Sequence, residues 1–209
     1  LVRGATFLWQ QGKLLRDRLN FPEVTRALQE PRPDTLEDRI AFVMDRFGGA
    51  IRPIQKRAEI TALAARVEEL RPRTVLEIGT AKGGTLYLLC QAAAEDATII
   101  SLDLPYGRNG GGYPRWKEPA YRRFAKPGQT LHLLRADSHA PESLARVREI
   151  LAGRPLDFMM IDGDHSHEGV RADFEMYGAL MSPDGLIALH DILENRFDPS
   201  IDVHPFWLS

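Results

Sequence analysis

With 209 residues, 44% hydrophobic and 27% charged, the chain can bury one sizeable core, and this composition excludes intrinsic disorder. A net charge of -2 excludes the basic excess of a nucleic-acid-binding surface, and one cysteine, Cys90, excludes a disulfide framework. No apolar run approaches the roughly 18 residues of a membrane span, and the N-terminus lacks a signal-peptide core, so a cytoplasmic protein without membrane or nucleic-acid partners is expected.

From Leu1 to about Gly49 the pattern is irregularly amphipathic, with Phe7, Leu8, Leu14 and Leu15, then Val24 and Leu28, then Ile40, Phe42, Val43 and Phe47. Short helices broken by prolines are predicted there. Asp34 or Thr35 caps a helix that opens at Leu36 and closes at Gly48-Gly49. A second helix, roughly Lys56 to Leu70, carries Ile60, Leu63, Val67 and Leu70 on one face and ends at Arg71-Pro72. Residues 1–53 are therefore read as an N-terminal helical segment, and 54–209 as the main domain.

After Arg73 strands and helices alternate. Strands are predicted at Thr74 to Ile78, Thr98 to Leu102, Thr130 to Leu134, Leu156 to Ile161 and Gly185 to Leu189. Helices fall at Thr85 to Ala94, Arg115 to Phe124, Pro141 to Ala152 and Glu168 to Leu180. The spacing implies an α/β fold, a parallel sheet with helices on both faces, whose ligands sit outside the carboxyl ends of the strands. Gly107 to Gly112 reads as a mobile loop.

The first strand runs into TVLEIGTAKGGT, where Gly79, Gly83 and Gly84 permit close backbone approach to a ligand at the start of a helix. Its spacing is not the Gly-x-Gly-x-x-Gly of a pyrophosphate turn. Each further strand also ends in polar groups: Asp103, then Asp137 and Ser138, then Asp162, then His190 and Asp191. A buried strand normally finishes in neutral turn residues, so this convergence points to a site. Asp103 stands where an acid can accept both hydroxyls of a ribose, with a turn aspartate as the plain alternative. For Asp137 and Ser138 the plain alternative is a cap for the helix at Pro141. Asp164 and His167 read as ordinary residues at a helix start, and His132, His139 and His204 as solvated singletons. Tyr113, Trp116 and Tyr121 either cover a helix face or pack over a substrate.

The glycine turn resembles motif I of class I S-adenosylmethionine (SAM) dependent methyltransferases. The segment IDGDHSHEGVRAD with the later His190-Asp191 pair resembles their O-methyltransferase branch. That branch, Methyltransferase 24-like, includes cephalosporin-hydroxylase-like proteins, macrocin and mycinamicin sugar O-methyltransferases and, more distantly, catechol O-methyltransferase. The resemblance spans about Ile54 to Asp191. It implies a Rossmann-like, doubly wound, mainly parallel sheet and methyl transfer from SAM to a hydroxyl of a sugar, glycosylated natural product or polyphenol. It assigns Glu77, Gly79, Thr80, Gly83, Gly84, Thr85, Asp103, Asp137, Ser138 and Asp162 to SAM. Asp162, His190 and Asp191 would hold a divalent metal, and His165 would be the general base. The family usually has Glu or Asp where His190 stands. Magnesium, the family's usual ion, prefers oxygen donors, while imidazole suits manganese, iron or zinc, so the metal stays open among these.

Two other classes remain in play. Asp162, His165 and His190 supply two imidazoles and a carboxylate, the donor set of a non-haem iron oxygenase. A SAM-binding protein without turnover is the other. Class I methyltransferases usually continue past the fifth strand with a helix and an antiparallel hairpin. The sequence after Asp191 is too short for them, so the chain is read as incomplete, covered by another subunit in a homo-oligomer, or minimal.

Overall fold

The structure is a computed structural model that describes residues 18–105, 112–198 and 200–209. The apolar positions Phe7, Leu8, Leu14 and Leu15 and most of the 107–112 loop lie outside the described residues. After a helix over residues 18–27, α1, the chain forms α2 (Leu36–Met44), α3 (Arg57–Leu70) and the first strand, β1 (Thr74–Ile78). Thr35 is the cap of α2, its hydroxyl accepting the Asp38 amide at 3.1 Å. Then come α4 (Gly84–Ala92), β2 (Thr98–Leu102), a short α5 (Glu118–Tyr121) and β3 (Thr130–Leu134). The C-terminal part holds α6 (Pro141–Leu151), β4 (Leu156–Ile161), α7 (His167–Gly178), β5 (Met181–Leu189) and α8 (Val203–Trp207).

The strands form one parallel sheet in the order β3-β2-β1-β4-β5. The order reverses beside β1, so the crossovers place helices on both faces, as in a Rossmann-like class I methyltransferase fold. Alternate residues of each strand feed opposite cores, because side chains alternate with a period of two. Val75, Ile99, Phe158 and Met160 enter a core with α1 to α4. Leu76, Ile78, Ile100, Leu102, Met159 and Ile161 enter another with α6, α7 and α8. The N-terminal helices are thus continuous with the sheet: Phe42 of α2 stacks on Tyr87 of α4, with ring centroids 4.9 Å apart. Among the described residues no helix is long and apolar enough to cross a membrane.

Three elements differ from the sequence reading. The predicted helix at Arg115 to Phe124 is broken into 3-10 turns on either side of α5. Pro119 has no amide to continue an α-helical ladder from Arg115. β5 begins at Met181 rather than Gly185, with a register shift against β4 between Leu156 and Phe158. That strand ends the order of the sheet, so Pro183 is tolerated on its open side. The helix α8 was not anticipated; Phe206 packs against Phe174 of α7 at 5.5 Å.

Candidate active site

Gly79 follows β1 at φ +92, and a Cβ there would lie 1.9 Å from the carbonyl oxygen of Asp162. The ends of β1 and β4 meet at this point, so only glycine fits. The chain then turns into α4, whose cap Gly83 has φ +84.

Beneath the turn, Glu77 is fully buried and accepts the Thr80 hydroxyl at 2.6 Å. Burial pushes its carboxyl up to about 8, opposed by the Thr80 bond. The other carboxylate oxygen has no hydrogen-bond partner. Thr80 also meets Ser101 at 2.6 Å, and Thr85 donates to Gln55 at 3.3 Å. Glu77, Thr80 and Thr85 thus hold the turn from below or behind with their side chains. Gly84 packs against Pro53 and the Ile51 carbonyl.

On the other side of the turn opens a cavity of about 530 Å³, within the ordinary size range of small-molecule sites. Of the sequence-predicted residues it brings together Gly79, Asp103, Asp137, Ser138 and Asp162. One oxygen of Asp103 accepts the amides of Ala81 and Tyr113, each at 3.1 Å. Burial raises this carboxyl to about 6 against those bonds, so it is ionised at neutral pH. Asp137 does not cap α6, whose cap is Ala140; its side chain closes a local turn onto the His139 amide at 3.0 Å.

His139 is not a solvated singleton. It lines the cavity, with Nε2 3.1 Å from the Gly169 carbonyl and 3.4 Å from Asp173, a fully buried carboxylate. Asp173 raises the imidazole to about 9. Tyr113 and Tyr121 are buried, with ring centroids 4.9 Å apart, and belong to the core. Trp116 packs edge-on against Phe21 at 4.8 Å.

Beside the cavity, Asp162, His165, His190 and Asp191 offer donor atoms that lie within 4.8 Å of one another. Asp191 follows β5 at φ +56, an uncommon conformation for a residue with a side chain. Its Oδ2 meets His165 Nδ1 at 2.6 Å, and His165 Nε2 is 3.7 Å from Asp162 Oδ1. His190 Nδ1 lies 3.0 Å from Asp162 Oδ1 and 3.3 Å from Asp191 Oδ2, within ion-pair range of both but aligned for a hydrogen bond with neither. Burial lowers the His190 imidazole, but the two carboxylates outweigh it and lift it to about 10. His165 is also raised, burial being outweighed by Asp191 and Asp162. Asp191 is held well below the usual carboxylate range by both histidines. The His190 nitrogen without a hydrogen-bond partner and the two-carboxylate, two-imidazole set fit a divalent cation, which imidazole binds in its neutral form.

Sequence reasoning missed Gln55, whose amide nitrogen donates to Asp162 Oδ2 at 2.6 Å. Nothing in the local pattern marks it, because its partners are distant in sequence.

The family model described as "Methyltransferase domain" matches residues 76–192, more than half of the chain and every strand-end residue of the site. The chain belongs to this methyltransferase family. Among curated proteins, an uncharacterized protein of Sinorhizobium fredii, y4gI, is 27% identical over 128 residues. The match covers 60% of this chain but spans only 14% of that relative's length. Among solved structures, the O-methyltransferase of Bacillus cereus in complex with SAH aligns with a TM-score of 0.55 at 19% identity, over 85% of this chain and 79% of that one. MycE, a methyltransferase of mycinamycin biosynthesis solved with Mg and SAH, aligns with a TM-score of 0.52 at 19% identity, over 77% and 38%. TomG, an O-methyltransferase of Streptomyces achromogenes in complex with SAM, gives 0.51 at 15% identity, over 92% and 85%. At these identities the likeness is one of fold, and the methyltransferase domain here shares it.

Proposed function

We propose that this methyltransferase domain transfers methyl from SAM to a hydroxyl of a small molecule, a sugar, glycosylated natural product or polyphenol, with help from a divalent cation. The observation that carries the reading is the juxtaposition, on one edge of the sheet, of the Asp103 cavity and the Asp162, His165, His190 and Asp191 cluster. Relatives of the same fold were solved with SAM, with SAH, or with Mg and SAH.

When bound, SAM supplies an electrophilic methyl group on its sulfonium, and the cation supplies a Lewis acid that lowers the pKa of the acceptor hydroxyl. Asp103 receives the ribose hydroxyls, while Asp137, Ser138 and the Gly79 turn line the rest of the cofactor cavity. Asp162, His190 and Asp191 hold the cation. His165, fixed through Nδ1 by Asp191, would offer Nε2 to the proton of the acceptor hydroxyl. Residues 1–53 contribute to the acceptor pocket or to self-association in a homo-oligomer, and the protein works in the cytoplasm.

The test is SAH release with manganese or magnesium over a panel of glycosides and catechols. The reading predicts release by the parent protein and a loss of about 100-fold or more in His165→Gln, with SAM still bound. SAM binding without release on any acceptor would favour a non-catalytic SAM-binding protein. The two imidazoles and carboxylate also favour an iron oxygenase as second reading, which iron- and 2-oxoglutarate-dependent oxygen consumption without SAM would establish.

A further inference from the structure

Gln55 lies between Pro53 and α3, outside every motif, yet its side chain is buried. A buried amide costs free energy unless both ends are satisfied, and ordering it costs rotamer entropy, so an apolar residue would fill this space more simply. Both ends are satisfied within the site. Nε2 donates to Asp162 Oδ2 at 2.6 Å, and Oε1 accepts the Thr85 hydroxyl at 3.3 Å. A carboxylate only accepts, so the amide is fixed with its nitrogen toward Asp162.

The two oxygens of Asp162 therefore differ. Oδ2 is tied to Gln55, and Oδ1 is left facing His190 Nδ1 at 3.0 Å and His165 Nε2 at 3.7 Å. Without the amide, rotation of the carboxylate would exchange the oxygens and scatter the donor geometry.

We propose that Gln55 is a positioning residue that braces Asp162 against the first turn of α4, so that Oδ1 is presented to the cation. This rests on Asp162 being a cation ligand. Gln55 touches no reacting atom; it acts through the carboxylate. Partners that orient a metal ligand typically govern affinity about 10- to 100-fold. Gln55 does not itself line the cofactor cavity and reaches it only through Asp162, whose Oδ1 faces the histidines of the cation cluster, so the effect falls chiefly on the cation.

Calorimetric titration of Mn²⁺ and, separately, of SAM without metal into the full chain tests this, on the parent protein, Gln55→Met and Gln55→Asn. Met keeps the length without the amide; Asn keeps the amide but falls short of both partners. The expected result is manganese affinity reduced about 10- to 100-fold in both variants, with SAM affinity within about twofold of the parent. Unchanged manganese affinity in a folded variant overturns the proposal, as does an equal fall in both affinities, or failure of both variants to fold, each of which marks a structural residue. If the parent binds SAM but no manganese, or an Asp162→Asn control binds manganese like the parent, the cation reading itself fails and takes the proposal with it. These outcomes differ from a Gln55 effect that is merely absent.

Discussion

The tightest constraint on a single residue is at Gly79, where the turn after β1 passes over the Asp162 carbonyl. A methyl group would collide with rigid backbone and would be strained at φ +92 besides. Gly79→Ala is therefore expected to destabilise by more than about 2 kcal/mol. Gly153 is the control: its φ of +83 carries the same conformational strain, but a Cβ there meets nothing within 4 Å. Chemical denaturation of the two variants measures the difference, and equal losses would remove the steric part of the argument. At this scale the sequence was legible where topology gathers residues. Asp103, Asp137 and Asp162 reach the cavity because each follows a strand of a parallel sheet. Gln55 and the pair His139 and Asp173 were not legible, since each depends on a partner remote in the chain that no local pattern specifies.

At the scale of elements, His139 and Asp173 tie the loop after β3 to α7. The imidazole has an ordinary value of 6.5 and a folded value of about 9, so the folded state binds the proton more tightly. The pair's contribution to stability is complete below pH 6.5 and is lost as pH rises through about 9. Glu77 acts in the same direction: burial holds its carboxyl neutral to about 8, so stability falls as pH rises from 4.5, where the unfolded chain ionises it, to about 8. The difference between the parent and His139→Gln in melting temperature isolates the pair. It should shrink between pH 6.5 and pH 9.5 or so, and a constant difference would show that the imidazole is not charged in the fold. Of the elements, β1, β2 and β4 could be read because burial on both faces gives short stretches rich in apolar residues, Val75 to Ile78 broken only by Glu77, Ile99 to Leu102 broken only by Ser101, and Phe158 to Ile161 unbroken. The start of β5 could not, since Pro183 and Asp184 break such a run at an edge. Nor could α8, with five residues and a proline inside.

At the scale of the whole molecule, two cores clamp one parallel sheet, and the same alternation that fills them leaves the carboxyl ends of the strands to chemistry. The site's two halves, cofactor cavity and cation cluster, meet at Asp162. The central claim is that this cavity binds SAM through Asp103. The direct measurement is calorimetric titration of SAM into the parent protein and Asp103→Ala. Loss of charge-assisted hydrogen bonds to the ribose should weaken binding at least about tenfold in the variant, with an unchanged circular dichroism spectrum. A parent protein that gives no heat with SAM, or a folded Asp103→Ala that binds it equally well, would contradict the account.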